Sequence, residues 1–105
     1  MAKEFWTVTE VIELFEMEER VLTDLEQEEI VCPTCQERPP EKLFSSGELE
    51  KLRLAKILME DMGVNLAGVD VVLRIRQAMM DMRRQFDAIL EDLAQHLQET
   101  LQKGP

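Results

Sequence analysis

The chain has 105 residues, 45% of them hydrophobic and 32% charged, with a formal net charge of −10. This length accommodates one core and one projecting helix, which argues against a multi-step enzyme, and the apolar share is too high for a disordered chain of this charge. No apolar run reaches the roughly 18 residues of a membrane span, and "MAKEFWTVTE" lacks a secretory signal, so a cytoplasmic protein with reduced thiols is expected.

The negative charge is unevenly placed. Residues 1–50 hold four Lys and Arg against fourteen Asp and Glu, whereas residues 51–105 hold eight of each. In chain order, "TVTEVIELF" predicts a first helix. Thr7 and Glu10 form a capping box, and Val8, Val11, Ile12 and Phe15 fall on one face. Trp6, just before the cap, suits a hydrophobic staple or, if exposed, a partner anchor. The chain turns near Met17, and Val21, Leu22 and Leu25 mark a second helix of about three turns, so the pair is a helix-turn-helix candidate.

Pro33, Pro39 and Pro40 exclude helix from "IVCPTCQERPPEKLF", whose apolar ends, Ile30-Val31 and Leu43-Phe44, are expected to pair as the strands of a short hairpin. Ser45 and Glu48 form a second capping box and open a third helix, with Leu49, Leu52, Ala55, Met59 and Met62 on one side and Gly63 as its stop. Asn65 caps a fourth helix that nothing interrupts before Gly104-Pro105. Along it, Ile75, Met79, Met82 and Phe86 follow coiled-coil spacing, and Leu90, Leu93 and Leu97 continue the stripe after a four-residue step. A lone chain this short cannot bury that stripe, so a homodimer is expected.

This succession resembles the MerR superfamily of winged-helix proteins over nearly the whole chain. The resemblance is carried by Leu43-Phe44-Ser45 before "GELEKL" and by "GVNLAG" before the last helix. It implies an all-α winged helix-turn-helix domain with a short β-hairpin wing over residues 1–73, and a coiled-coil dimerisation helix over residues 74–105. The superfamily contains DNA-binding regulators and also CbpM-type chaperone modulators, which bind the J-domain of a DnaJ-like co-chaperone. In the DNA-binding members a Leu-Arg-Tyr-Tyr-Glu run on the second helix, followed by Gly-Leu, reaches bases and phosphates. The matching stretch here is Leu22-Thr23-Asp24-Leu25-Glu26, followed by Glu29-Ile30, and the wing's Tyr-Arg step is replaced by Glu41-Lys42.

Residues 8–30 hold nine carboxylates and one Arg, whereas DNA affinity rests on basic side chains displacing counterions. The expected partner face is therefore protein-binding, formed by Glu16, Glu19, Arg20, Thr23, Asp24, Glu26 and Gln27. The resemblance implies that it takes the basic second helix of a J-domain and keeps it from Hsp70. The alternatives are a dimeric MerR-type transcriptional regulator reading DNA through Arg38, Lys42 and the wing, and an acidic dimerising adaptor for another basic protein.

Cys32 and Cys35 have the spacing of half a zinc site, but His96 lies far along the last helix, so the pair is only a weak metal candidate and no cofactor is expected. Met59, Met62, Met79, Met80 and Met82 are expected in the core, as flexible gap-fillers. Arg74, Arg76, Arg83 and Arg84 suit ion pairs flanking the seam. The lone His, the absence of a glycine-rich phosphate loop and the lack of paired carboxylates in an evident cleft give no foothold for catalysis.

Overall fold

The computed structural model describes residues 3–104. Its elements are β1 (Phe5–Thr7), α1 (Val8–Phe15), α2 (Glu19–Gln27), β2 (Thr34–Glu37), β3 (Pro40–Ser45), α3 (Ser46–Lys56), a π-helical turn (Ile57–Asp61) and α4 (Leu66–Lys103). The protein is mostly helical, with one small antiparallel sheet in the order β1-β3-β2. One compact unit ends at Leu73 and a second begins at Arg74.

Both helix starts follow from their caps. Thr7 accepts the Glu10 amide at 3.2 Å and Glu10 accepts the Thr7 amide at 3.1 Å, which completes the expected box at α1. At α3 only half of the box forms. Ser45 accepts the Glu48 amide, but the Glu48 carboxylate turns away and accepts the Cys32 amide and the Lys51 ammonium, each at 3.1 Å. Glu48 thus fastens the segment after α2 to the start of α3.

The sheet corrects the hairpin expected from the sequence. Thr34 to Glu37 pair with Leu43 to Pro40, closed by Arg38-Pro39, whose peptide bond is cis. Ile30 and Val31 are not strand residues. α2 closes with Glu29 in the left-handed region, the Ile30 amide donating to the Leu25 carbonyl at 2.9 Å and the Glu29 amide to the Glu26 carbonyl at 3.0 Å. This closure leaves Ile30 and Val31 buried in the core. A further strand, β1, pairs on the other edge of β3 and places Trp6 opposite Phe44.

The first unit's core joins Val11, Leu22, Leu25, Phe44, Leu52, Ala55 and Val69, with Val8, Ile12, Phe15, Val21 and Trp6 packed against it. Lys56 donates from α3 to the Phe15 carbonyl at the end of α1, where a cation complements the exposed carbonyls. Gly63 adopts φ +67° between the π-helical turn and α4, and Asn65 caps α4 by accepting the Gly68 amide at 2.8 Å. A Cβ at Gly68 would stand 2.6 Å from the Val64 side chain, so that approach requires glycine. The methionine expectation needs correction. Met59 packs on the core, but Met62, Met79, Met80 and Met82 are exposed, and two of them, Met79 and Met82, lie on the outward stripe of α4.

Glu48→Ala is expected to lower stability by about 1–3 kcal/mol in chemical denaturation, since it strips the Cys32 amide of its partner. Lys51→Ala, which leaves that bond in place, should cost no more than about 1 kcal/mol.

Candidate functional site

The α1–α2 pair turns within three residues. Glu16 caps α1 at φ 51°, the buried Met17 donates its amide to the Ile12 carbonyl at 3.1 Å, and Glu18 precedes α2 without a side-chain cap. Both helices bury one face. Leu22 and Leu25 carry that of α2, and charged and polar side chains occupy the rest.

The expected partner residues fall into two groups. Glu16, Glu19, Arg20, Thr23 and Gln27 are exposed. The Thr23 hydroxyl donates to the Glu19 carbonyl at 3.0 Å, and Arg20 lies 3.8 Å from Glu18 in a pair too solvated to hold either side chain. Asp24 and Glu26 are half-buried. Glu26 does not point into solvent, because Lys42 of β3 donates to its carboxylate at 2.8 Å and its side chain is only 15% exposed. The sequence pattern placed Glu26 on the outer face because a helical wheel cannot register a strand sixteen residues away.

That hydrogen bond, and then the charge of Glu26, hold the Lys42 ammonium above its ordinary pKa of 10.5. The contribution linked to the Lys42 proton is complete below the ordinary value and is lost as pH climbs through the raised one. With Lys42 half-exposed, the bond is worth at most about 1 kcal/mol in solution. Its effect is positional, tying the hairpin to α2 and engaging one of the two hairpin cations.

Glu13, Glu18, Glu28 and Glu29 add exposed carboxylates to the face, although none was singled out by periodicity. Lys3 bridges to Glu10 at the start of α1. Beside it Trp6, Glu10, Glu13 and Leu14 line an open cavity of about 350 Å³. Leu14 lies off the core stripe of α1, which is the one sequence sign that it faces outward. Cys32 and Cys35 are free and exposed, and among the described residues no three His, Cys, Asp or Glu side chains are grouped to hold a metal ion.

In the second unit the expected seam residues Ile75, Met79, Met82, Phe86, Leu90, Leu93 and Leu97 are each between 48% and 68% exposed. Arg84 pairs with Asp81 beside them. Among the described residues no helix is long and apolar enough to cross a membrane.

Two short helices with a tight turn, a small antiparallel sheet and a long C-terminal helix form a recognisable set, and the family model for MerR HTH family regulatory proteins matches residues 6–99. The chain belongs to that family. No curated protein sequence matches it. In this MerR-family helix-turn-helix regulatory protein, six of the eleven exposed residues between positions 8 and 30 are acidic and one is basic.

The left-handed backbone at Glu29 (φ 57°) disfavours a side chain with a Cβ. Glu29→Gly is expected to raise stability by about 1 kcal/mol in thermal or chemical denaturation. A loss of stability would show that the Glu29 side chain makes a compensating interaction.

Proposed function

We propose that this MerR-family protein is a non-enzymatic chaperone modulator whose acidic α1–α2 face binds the basic helix of a J-domain and blocks or tunes its action on Hsp70. One observation carries the reading. Where DNA-binding relatives are expected to present Arg and Tyr, α2 presents Thr23 and Asp24 within a stretch of nine carboxylates and one Arg. A duplex approaching this face meets like charge, and the counterion release that drives DNA binding has only Arg20 to supply it. A Lys/Arg-rich helix meets opposite charge, which speeds encounter and fixes orientation.

DNA binding is the competing reading, and it rests on the family frame and the β2–β3 hairpin in the role of a wing. Its cations are Arg38 and Lys42, and Lys42 is engaged by Glu26. The two readings separate by charge reversal. Glu19→Lys combined with Gln27→Lys, both at exposed positions, is expected to weaken binding to a purified J-domain at least about tenfold in calorimetry, while nonspecific affinity for a duplex stays level or rises. Unchanged J-domain affinity would remove α2 from the interface. Tight duplex binding by the unaltered protein would replace the chaperone reading with the transcriptional one.

The α4 stripe is the surface for a second copy of the chain. Seven large apolar side chains at heptad-like spacing, each about half exposed, form a patch larger than soluble monomers usually leave uncovered. Light scattering should give a dimer mass for the protein, and Phe86→Glu with Leu93→Glu should give a monomer that keeps its helical circular dichroism. A monomer mass for the unaltered chain at micromolar concentration would exclude the seam.

A further inference from the structure

The open cavity beside Trp6 mixes acidic and apolar lining residues on the outer side of α1. Glu10, Glu13 and Leu14 occupy positions i, i+3 and i+4 of α1 and so share one side of the helix, and Trp6 of β1 completes the lining. Leu14 is 60% exposed on a helix whose other large apolar residues all pack on the core. Trp6 is half-buried, held from behind by the core cluster. The result is a rigid aromatic wall, an uncovered aliphatic side chain and two carboxylates at the rim.

We infer that this cavity is the anchor point of the docking face, taking one aliphatic or aromatic side chain from a basic amphipathic helix whose Lys or Arg residues pair with Glu10 and Glu13. The inference rests on the proposed docking role and specifies its contact. Charge complementarity selects the occupant. An acidic helix is repelled by the rim and an uncharged apolar segment leaves the Glu13 carboxylate facing it unpaired, whereas a basic amphipathic helix both covers Leu14 and pairs with the rim. The chain itself supplies a precedent, because the Lys3 ammonium bridges to Glu10 at this rim. An arriving cation would take its place or pair with Glu13. The anchor also confers a selectivity that charge alone lacks. A polycation without an apolar face gains the carboxylates but leaves Leu14 wet, so the cavity separates amphipathic helices from basic tails.

Trp6 is the chain's single tryptophan, so its emission reports on the cavity directly. The full-length protein is titrated with a synthetic helical peptide carrying Lys and Arg on one face and Leu on the other, free of Trp and Tyr. Parallel samples use the same peptide with its Leu residues replaced by Ser, a purified J-domain without Trp, and a DNA duplex. A shift of Trp6 emission with the amphipathic peptide and the J-domain is expected, and none with the Ser peptide or the duplex. Leu14→Ser and Glu13→Lys, both at exposed sites that leave the core and the α1 cap intact, should each weaken peptide binding about tenfold or more without changing the thermal midpoint. Wild-type affinity in both variants would overturn the anchor. If J-domain binding then still fell on reversal at Glu19 and Gln27, the docking face would stand without it. Leu14-dependent peptide binding with a silent J-domain would support the anchor and remove the J-domain as its occupant. An equal response to the Ser peptide would reduce the cavity to a nonspecific acidic surface and overturn the inference.

Discussion

The fold is organised by the burial of Phe44. This side chain is fully enclosed, at the centre of a strand that has a neighbour on each edge. Trp6 stands opposite it on β1 and shares its face of the sheet, and Lys42, two residues earlier, points to the same side. That pleat therefore fixes three things together: Phe44 in the core, Trp6 beside it at the start of α1, and the Lys42 ammonium against Glu26 of α2. One residue after Phe44, Ser45 caps α3, so the strand also sets where the third helix starts. Losing the ring would leave a cavity where sheet and helices meet, and large buried aromatic truncations of this kind typically cost about 3–5 kcal/mol.

Held in this way, the α1–α2 pair keeps the helix-turn-helix shape of its family while its exposed side chains include six carboxylates and one Arg. Shape and charge answer different questions. The helix-turn-helix frame follows from Val11, Leu22 and Leu25, which are all buried. On the proposed reading, recognition depends on the side chains facing away from them, where carboxylates outnumber the single Arg. A frame can thus be retained while its ligand changes, which is why membership of a regulatory family fixes architecture more firmly than it fixes the partner. The left-handed Glu16 and Glu29 fit this division, since each places a charged side chain at a turn where glycine would be less strained.

Local signals were legible in the sequence and contacts between distant segments were not. The Thr7–Glu10 box, the core face of α1, the stop at Gly63 and the Asn65 cap each depend on residues within a few positions of one another. The hairpin register was misread because Ile30-Val31 looks like a strand by composition, whereas the left-handed closure of α2 at Glu29 commits both residues to the core. Glu48 was assigned to its own helix's cap but bonds to Cys32, and Glu26 was assigned to solvent but bonds to Lys42; each partner lies sixteen residues away. β1 is too short to show an alternation, and only its pairing with β3 reveals it. Within the candidate site the acidic character was plain from counting charges, whereas the exposed Leu14 beside Trp6 emerged only once the cavity was seen.

The proposals give a regulatory-family protein two working surfaces on one chain, an acidic helix pair with a small apolar anchor and an uncovered stripe on α4. The first is the more consequential, because on the proposed reading it takes a protein partner instead of nucleic acid. The most direct measurement is a chemical-shift map of the isotope-labelled protein titrated in parallel with a J-domain and with a DNA duplex at moderate salt. Perturbations confined to Trp6 and residues 10–29 with the J-domain, and absent with the duplex, are the expected result. Perturbations at Arg38, Lys42 and the hairpin with the duplex, and silence with the J-domain, would contradict it.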